Sequence, residues 1–251
     1  MHRFFLNPNQ ILDGAVTFPE GLSRQIRKVL RLDIKKDAVI VLDNSGWEYF
    51  VQLDGNKGNQ VLGHIIDRQE GRAQPSVELT LCYSQTRREK IEWILQKGTE
   101  LGVAKFQPFI SSRSLAQSLQ PNSARRDRLE AIMREASEQS QRSKLPLLEA
   151  GCDFETMLQL TQDRSLRLIA WEGTALVRMV DMETIKPLSE HDSKSIVLVV
   201  GPEGGFSSEE VELAEKYGYQ QISLGNRILR TETACIAGTA ILRNLSDSLF
   251  G

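Results

Sequence analysis

The sequence is poor in the residues that bind metals and form disulfides. Its 251 residues include only three cysteines, Cys82, Cys152 and Cys235, which are far apart and form no C-x-x-C pair. An odd number of scattered cysteines argues against a disulfide framework or a zinc site and is typical of a reducing compartment. The three histidines are isolated from one another and from the cysteines. We therefore expect no metal site.

Sequence features that would identify other classes of protein are also missing. No apolar run reaches the roughly 18 residues that a membrane span needs, and no signal-peptide core opens the chain. A cytoplasmic protein that does not enter a membrane is expected. The P-loop pattern, the dinucleotide pattern G-x-G-x-x-G at the start of a βαβ unit and the hydrolase pattern G-x-S-x-G are absent. These absences argue against P-loop enzymes, nicotinamide enzymes and serine hydrolases.

The sequence has little net charge, but its charges are unevenly distributed. The formal net charge is −2; the first 150 residues carry 22 Lys and Arg against 18 Asp and Glu, and the last 101 carry 9 against 15. Between Arg24 and Lys36 there are six basic residues and one acid. A surface of one sign favours contact with phosphates, because each cation adds to the attraction. An ordinary solvated helix face would show the same pattern.

Two strand–loop–helix units near the C-terminus are the remaining candidates for a functional site. Ile196–Val200 is a continuous aliphatic run, which predicts a strand buried on both faces of a parallel sheet. A glycine-rich turn follows, and then Ser207 or Ser208 precedes a helix with Glu209 and Glu210 in its first turn. Serine caps and early acids are typical of helix N-termini.

The second unit repeats this arrangement about twenty residues later. A strand at Gln221–Leu224 ends in Gly225-Asn226-Arg227, and a helix is predicted from Thr231 to Leu245. Open α/β sheets bind ligands at loops that leave the carboxyl ends of strands. Each loop alone is equally consistent with an ordinary βα turn. The pair together predicts a ligand site.

The sequences of these two units resemble those of a known family. GPEGGFSSEE and LGNRILRTETA are similar to the signature of the 16S ribosomal RNA uridine N3-methyltransferase family (RsmE), which belongs to the SPOUT superfamily. The resemblance continues upstream through QIRKVLR, QKGTELGV and REASEQSQRSKLP, in the family's order. It implies S-adenosylmethionine as cofactor, bent into a trefoil knot formed by the two loops. A SPOUT enzyme that methylates another rRNA or tRNA nucleotide is the alternative, and an RNA-binding module without catalysis is a more distant one.

The predicted fold is α/β in two domains. Residues 1–70 show short apolar stretches separated by turns such as Asp54-Gly55-Asn56, which predicts a small β-barrel interrupted by a helix at Gly21–Leu32. Residues 75–251 alternate strands and helices, which predicts a mostly parallel sheet. Residues 69–76 are polar with Gly71 and Pro75 and mark the boundary. By resemblance, a PUA-like RNA-binding domain precedes a SPOUT-type trefoil-knotted methyltransferase domain.

The resemblance also assigns candidate site residues. It implies cofactor contacts from Gly201, Glu203, Gly204, Gly205, Leu224, Gly225, Ile228, Leu229 and Arg230. Arg230, Glu203 and Glu232 are the candidate catalytic residues; Arg230 suits a phosphate or a developing oxyanion, and either glutamate could be a base or a sulfonium partner. Glu232 could equally help to cap its helix. The candidate RNA-binding residues are Arg3, Arg24, Arg27, Lys28, Arg31, Arg87, Arg113 and Arg142.

The expected partners are 16S rRNA, free or in the 30S subunit, and a second copy of the chain. The C-terminal helix has small and apolar residues on more than one face, including Ala237, Gly238 and Ile241. Such an excess predicts a second protein surface, and the resemblance implies a two-fold dimer. We expect Gly238 to lie near the symmetry mate.

Overall fold

The computed structural model describes residues 1–71, 75–114, 122–172, 178–179, 181–190 and 194–250. The chain forms two compact units. The first comprises Met1–Gln74 and Ser137–Leu145, and the second comprises Pro75–Ala136 and Pro146–Gly251. The division at Gln74 falls inside the polar stretch that the sequence marks as a boundary. The return of Ser137–Leu145 to the first unit has no counterpart in the sequence prediction.

The first unit is a curled six-stranded sheet with one short helix. Its elements are β1 (Arg3–Phe5), β2 (Ile11–Leu12), β3 (Ala15–Thr17), α1 (Glu20–Arg24), β4 (Ala38–Leu42), β5 (Trp47–Lys57) and β6 (Gln60–Glu70). The strand order is β1-β4-β5-β6-β3-β2, antiparallel except for β1 beside β4. The predicted turn at Asp54-Gly55-Asn56 is wrong: these residues lie inside β5 at a register shift, and the hairpin turns at Gly58 instead. Gly58 has the positive φ, +60°, that a tight hairpin turn requires.

The predicted helix Gly21–Leu32 is shorter and changes type. α1 ends at Arg24, and one π-helical turn, Gln25–Val29, continues it. Ile26 is buried in the core of the first unit, whereas Val29 is 71% exposed. The sequence pattern places both on one apolar face at helical spacing; the wider π turn rotates Val29 out of that face.

The second unit alternates strands and helices along the chain. Its elements are β7 (Glu78–Ser84), α2 (Arg88–Glu100), β8 (Lys105–Ile110), α3 (Ser123–Gln139), β9 (Leu147–Leu148), β10 (Cys152–Asp153), α4 (Phe154–Leu160), β11 (Leu166–Ala170), β12 (Arg178–Met179), α5 (Met182–Ile185), β13 (Ser195–Val200), α6 (Ser208–Lys216), β14 (Gln220–Ser223) and α7 (Thr231–Phe250). The last three residues of α3 belong to the first unit.

The sheet of the second unit confirms the parallel α/β prediction. Its strand order is β10-β8-β7-β13-β11-β14-β12, with β9 beside β8, and every pairing among the described strands is parallel. β13 lies in the middle and all six of its residues are buried, as its continuous aliphatic sequence predicts. Two apolar cores flank the sheet, one of them against α2 and α7 and the other against α4 and α6.

The carboxyl ends of β13, β11 and β14 meet at one edge of this sheet, because all three strands run parallel. The loops that leave these ends are therefore neighbours. None of the helices in the described ranges is long and apolar enough to cross a membrane.

Candidate functional site

The glycine loop, residues 201–207, joins β13 to α6. Ser207 caps the helix: its hydroxyl accepts a hydrogen bond from the Glu210 amide at 3.2 Å, and the Glu210 carboxylate accepts one from the Ser207 amide at 2.9 Å. These reciprocal bonds fix the end of the loop. The predicted serine cap and the acidic first turn are confirmed.

The other end of the glycine loop is held by packing. Phe206 is 5% exposed, and its ring stacks on that of Phe109 with centroids 6.3 Å apart. A Cβ on Gly201 would lie 2.9 Å from the Phe206 ring. Only glycine allows the backbone to pass this close to the aromatic side chain. The loop is therefore packed against the core of its own unit.

The second loop, residues 224–230, joins β14 to α7. Gly225 has φ +118°, a conformation that side-chain-bearing residues rarely adopt, and its amide donates to the Ser223 hydroxyl at 3.2 Å. At the start of α7 the Thr231 hydroxyl donates to the Gly201 carbonyl at 3.1 Å. This bond joins the start of α7, directly after the second loop, to the glycine loop.

A cavity of about 240 Å³ lies between the two loops. Of the nine predicted cofactor residues, all line it except Gly204 and Arg230. Gly204 faces Arg113 instead, since a Cβ on Gly204 would lie 3.1 Å from the Arg113 Cβ. Arg230 is exposed beside the cavity. The cavity also has wall residues that sequence reasoning missed: Ala170, Trp171, Glu172, Val200, Pro202, Phe206, Ser223, Arg227, Thr231 and Ala234.

Of the missed residues, Ala170 ends β11, and Trp171 and Glu172 follow it. A signal for them was present, since the alternating strands and helices of residues 75–251 predict a parallel sheet, whose strands bring their carboxyl ends to one edge. Trp171 is half-buried against the core and Glu172 is exposed. The cavity thus combines apolar walls with carboxylates and hydroxyls at its edge. Within the described ranges, no group of three or more His, Cys, Asp or Glu side chains is arranged to hold a metal.

Arg113 supports the glycine loop from the neighbouring β8 end. Its Nη1 donates to the carbonyl oxygens of Gly204 at 3.2 Å and Phe206 at 3.3 Å. The amide of Ser112 donates to the Glu210 carboxylate at 2.8 Å. The turn after β8 therefore holds both the middle of the glycine loop and the first turn of α6.

A charged cluster joins the glycine loop to two helices. Lys90 Nζ, from α2, lies 2.8 Å from Glu203 Oε1 and 3.0 Å from Glu232 Oε2. The Thr86 hydroxyl also donates to Glu203 Oε1, at 2.5 Å. Lys90 was not singled out from the sequence, because more than 110 residues separate it from Glu203.

The cluster favours the charged forms of Glu203 and Lys90. Burial by itself raises the pKa of Glu203, but the hydrogen bonds from Lys90 and Thr86 outweigh it and the pKa is lowered overall. The hydrogen bond to Glu203 raises the pKa of Lys90, against the opposing effect of burial, and the ion pair with Glu232 adds to the rise. A carboxylate with a lowered pKa is a weak proton acceptor.

The three candidate catalytic residues therefore differ in whether their side chains are free to contact a substrate. Glu203 lines the cavity but is paired with Lys90 and Thr86. Glu232 is paired with the same lysine, and its side chain is only 16% exposed. Arg230 is exposed, and its side chain has no hydrogen-bond or ion-pair partner within the described part of the chain. Of the three, Arg230 is the one free to meet a substrate.

The candidate RNA-binding residues also separate into groups. Arg3 is buried in an ion pair with Glu48 at 2.6 Å and has a structural role, so the structure argues against its inclusion. Arg27 is engaged with the carbonyls of Ser23 and Asn59. The exposed residues are Arg24, Lys28 and Arg31 in the first unit and Arg87 and Arg113 in the second, although Arg113 is bonded to the glycine loop. Arg142 is partly buried within Ser137–Leu145.

The expected dimer contact at Gly238 is wrong. A Cβ on Gly238 would lie 2.8 Å from Leu198 Cδ2 of β13 in the same chain. Gly238 is therefore buried against its own sheet, where a close helix–sheet approach requires glycine. The outer side of α7 carries Ile236, Ala237, Ala240 and Ile241 instead, which are partly or fully exposed.

Comparison with known proteins places these features in a family. The family model for the RNA methyltransferase domain matches residues 73–243. Ribosomal RNA small subunit methyltransferase E of Synechocystis sp. is 32% identical, over 98% of this chain and 78% of that protein. The enzyme of the same name from Bacillus subtilis is 29% identical, over 100% of this chain and 99% of its own length.

A solved structure agrees with the sequence comparison. Ribosomal RNA small subunit methyltransferase E from Neisseria gonorrhoeae, crystallised bound to S-adenosyl methionine, superposes with a TM-score of 0.81. It is 28% identical, and the match covers 98% of both chains. The similarity therefore extends over both compact units.

Proposed function

Because the chain belongs to the RNA methyltransferase family, and within it resembles ribosomal RNA small subunit methyltransferase E over its whole length, we propose that it methylates N3 of a uridine in 16S rRNA. It is an S-adenosylmethionine-dependent ribosomal RNA methyltransferase, and we propose that it acts in the cytoplasm. The observation that carries the proposal is the cavity between the glycine loop and the second loop. The position of the methylated atom is the part that experiment must test.

The cavity suits S-adenosylmethionine. Gly205 and Gly225 line it, both have positive φ, and a Cβ on either would point into space with no atom within 4 Å. Backbone groups there can approach a ligand closely. Leu224, Ile228 and Leu229 supply apolar surface for an adenosyl group. When bound, the cofactor supplies an electrophilic methyl group on a positively charged sulfur.

The residues around the cavity suggest how N3 of the uridine is made reactive toward the methyl group. N3 of uracil is a weak nucleophile until its proton leaves, and the negative charge then spreads over the carbonyl oxygens. We propose that Arg230 binds either those oxygens or the adjoining phosphate, which stabilises the charge as it develops. The N3–H proton passes to solvent as the new N–CH₃ bond forms. Glu203 and Glu232 contribute through their position rather than as strong bases.

The exposed cations of the first unit suit the RNA backbone. Arg24 ends α1, Lys28 lies in the π turn and Arg31 follows it; all three are exposed. We propose that this PUA-like unit holds the rRNA. Replacement of all three by Glu should weaken RNA binding and reduce its salt dependence by about one unit of slope for each lost phosphate contact. S-adenosylmethionine affinity should not change. A variant with the parent's salt slope would contradict this surface and favour Arg87 and Arg142.

We also propose that the enzyme acts as a homodimer and that its two loops form the trefoil knot of SPOUT proteins. The Thr231–Gly201 bond between the loops is consistent with a knot. The partly exposed apolar side of α7 offers a self-complementary surface. Ile241→Arg should shift sedimentation to the monomer and leave the core intact. A fully active parent monomer would contradict the dimer.

The decisive experiment measures the product. 16S rRNA and assembled 30S subunits are incubated with the protein and S-adenosylmethionine, digested to nucleosides and analysed by mass spectrometry. N3-methyluridine is expected, and the form of the RNA that gains it identifies the substrate. A different methylated nucleoside would favour a SPOUT enzyme for another nucleotide. Cofactor binding without any methylated product would favour a binding module.

A further inference from the structure

Lys90 links the glycine loop to the start of α7 by two ion pairs. Its ammonium lies 2.8 Å from Glu203 of the glycine loop and 3.0 Å from Glu232 in the first turn of α7. The three side chains are 22%, 26% and 16% exposed, so each is largely shielded from water. Ion pairs in such partly buried positions are screened less than those on an open surface.

The backbone of Lys90 is held in place by α2. Its helical neighbours Ile91, Ile94 and Leu95 are all at most 2% exposed and belong to the main core of the second unit. The ammonium therefore starts from a rigid support. Thr86, which precedes the same helix, adds a hydroxyl bond to Glu203.

The two carboxylates are each attached to a cavity wall. Glu203 itself lines the cavity. Glu232 does not, but it is the direct neighbour of Thr231, which lines the cavity and bonds to the Gly201 carbonyl. A change in the distance between Glu203 and Glu232 would therefore move both walls.

We propose that Lys90 is a positioning residue that holds the glycine loop and the start of α7 at the separation that S-adenosylmethionine requires. Glu203 and Glu232 are its two anchors and do not remove the uridine proton. This role deepens the proposed function but depends only on cofactor binding, not on which RNA atom is methylated.

Lys90→Met tests the role, because it keeps most of the length of the side chain and removes its charge. Calorimetry on the folded full-length protein should show S-adenosylmethionine affinity reduced by about tenfold, as expected for the loss of charge-assisted bonds. Lys90→Arg should restore most of the affinity. The matched control is Lys97→Met on the same helix, because among the described residues Lys97 pairs only with Glu100, at 2.9 Å. That variant should bind like the parent.

Comparison of the single and triple variants separates a positioning role from an effect on overall stability. If Lys90 acts through its two partners, the triple variant Lys90→Met/Glu203→Gln/Glu232→Gln should bind the cofactor no worse than Lys90→Met alone, because the three residues act as one unit. Additive losses would contradict the proposal. So would Lys90→Met protein that binds within twofold of the parent, whatever its melting temperature. Near-ultraviolet circular dichroism confirms that each variant is folded.

Kinetics distinguish anchors from bases. Glu203→Gln and Glu232→Gln should raise the KM for S-adenosylmethionine and leave kcat at saturating cofactor within about threefold. A large fall in kcat with unchanged cofactor affinity would overturn the proposal and identify that carboxylate as a proton acceptor. Failure of the parent itself to bind S-adenosylmethionine would instead contradict the proposed function.

Discussion

The glycine loop and the second loop have similar sequences of glycine, apolar and charged residues but are held in different ways. The glycine loop is held along its whole length by the buried Phe206 ring, by the reciprocal Ser207–Glu210 bonds and by Arg113. In the second loop Asn226, Arg227, Ile228 and Arg230 are all exposed, and Ile228 is 86% exposed. Few described contacts hold that loop apart from Ser223–Gly225 and the packing of Leu229.

This difference indicates two roles. The glycine loop is a preformed wall, because its shape depends on the core and on hydrogen bonds within the chain. The second loop has fewer such contacts and exposes the apolar Ile228. Contact with a cofactor should therefore contribute more to the order of the second loop than to that of the first. Variants in the two loops should therefore fail in different ways.

The largest effect is expected at Phe206. Phe206→Ala removes a buried ring that supports Gly201, and should lower the free energy of unfolding by about 3–5 kcal/mol. Denaturant unfolding measures this loss, and calorimetry should show weaker cofactor binding as well. Phe154→Ala, in the same aromatic cluster but outside the cavity, is the control. It should lose similar stability and keep its cofactor affinity; equal affinity losses in both variants would contradict the specific role of Phe206.

A smaller effect, of a different kind, is expected at Gly225. Gly225→Val forces a β-branched residue into φ +118° and places methyl groups in the cavity, so cofactor affinity should fall by about tenfold to a hundredfold. Gly14→Val is the control, because Gly14 also has positive φ, +79°, with nothing within 4 Å of its Cβ, but lies in the first unit. Parent-like binding by folded Gly225→Val protein would show that the second loop is only a turn.

A substitution at Ile228 tests whether the second loop contributes to cofactor binding rather than to stability. Because Ile228 is exposed in the structure but lines the cavity, Ile228→Ala should change the free energy of unfolding by less than about 0.5 kcal/mol. Cofactor affinity should fall by roughly threefold to tenfold, as apolar contact with the ligand is lost. Thermal unfolding with and without S-adenosylmethionine measures both quantities. A loss of stability without ligand would mean that the second loop is also preformed.

The smallest effect concerns pH. The pKa of Glu203 is lowered in the folded protein, because the bonds from Lys90 and Thr86 outweigh the effect of burial. Its contribution to stability is therefore complete above the ordinary glutamate pKa and is lost as pH falls through the lowered value. The loss should be below about 1 kcal/mol. The difference in stability between the parent and Glu203→Gln should shrink as acid is added; a difference independent of pH would contradict the assigned shift.

Local patterns in the sequence predicted the elements that frame the site. The aliphatic run of β13, the serine cap of α6 and the following acids have their causes within a few neighbouring residues, and the structure confirms them. The prediction of a parallel sheet also succeeded, because alternating strands and helices permit few other arrangements. The strand order of the sheet has no such local cause.

Features that join distant residues could not be predicted. Lys90 resembles any charged residue on an amphipathic helix until the fold brings it to Glu203 and Glu232. Arg3 resembles a free cation until it is paired with Glu48, 45 residues away. Val29 fits a regular helical pattern, and only the π turn shows that it faces outward.

The discontinuity of the first unit constrains the order in which the protein can fold. Ser137–Leu145 completes that unit: the Glu138 carboxylate accepts a bond from the Phe5 amide at 3.0 Å, and Leu145 packs beside Phe5, Ile40 and Leu42. During synthesis this apolar patch of the first unit therefore stays uncovered until Pro75–Ala136, a little over a third of the second unit, and then Ser137–Leu145 have emerged from the ribosome. A fragment cut at the apparent domain boundary would remain in that unfinished state.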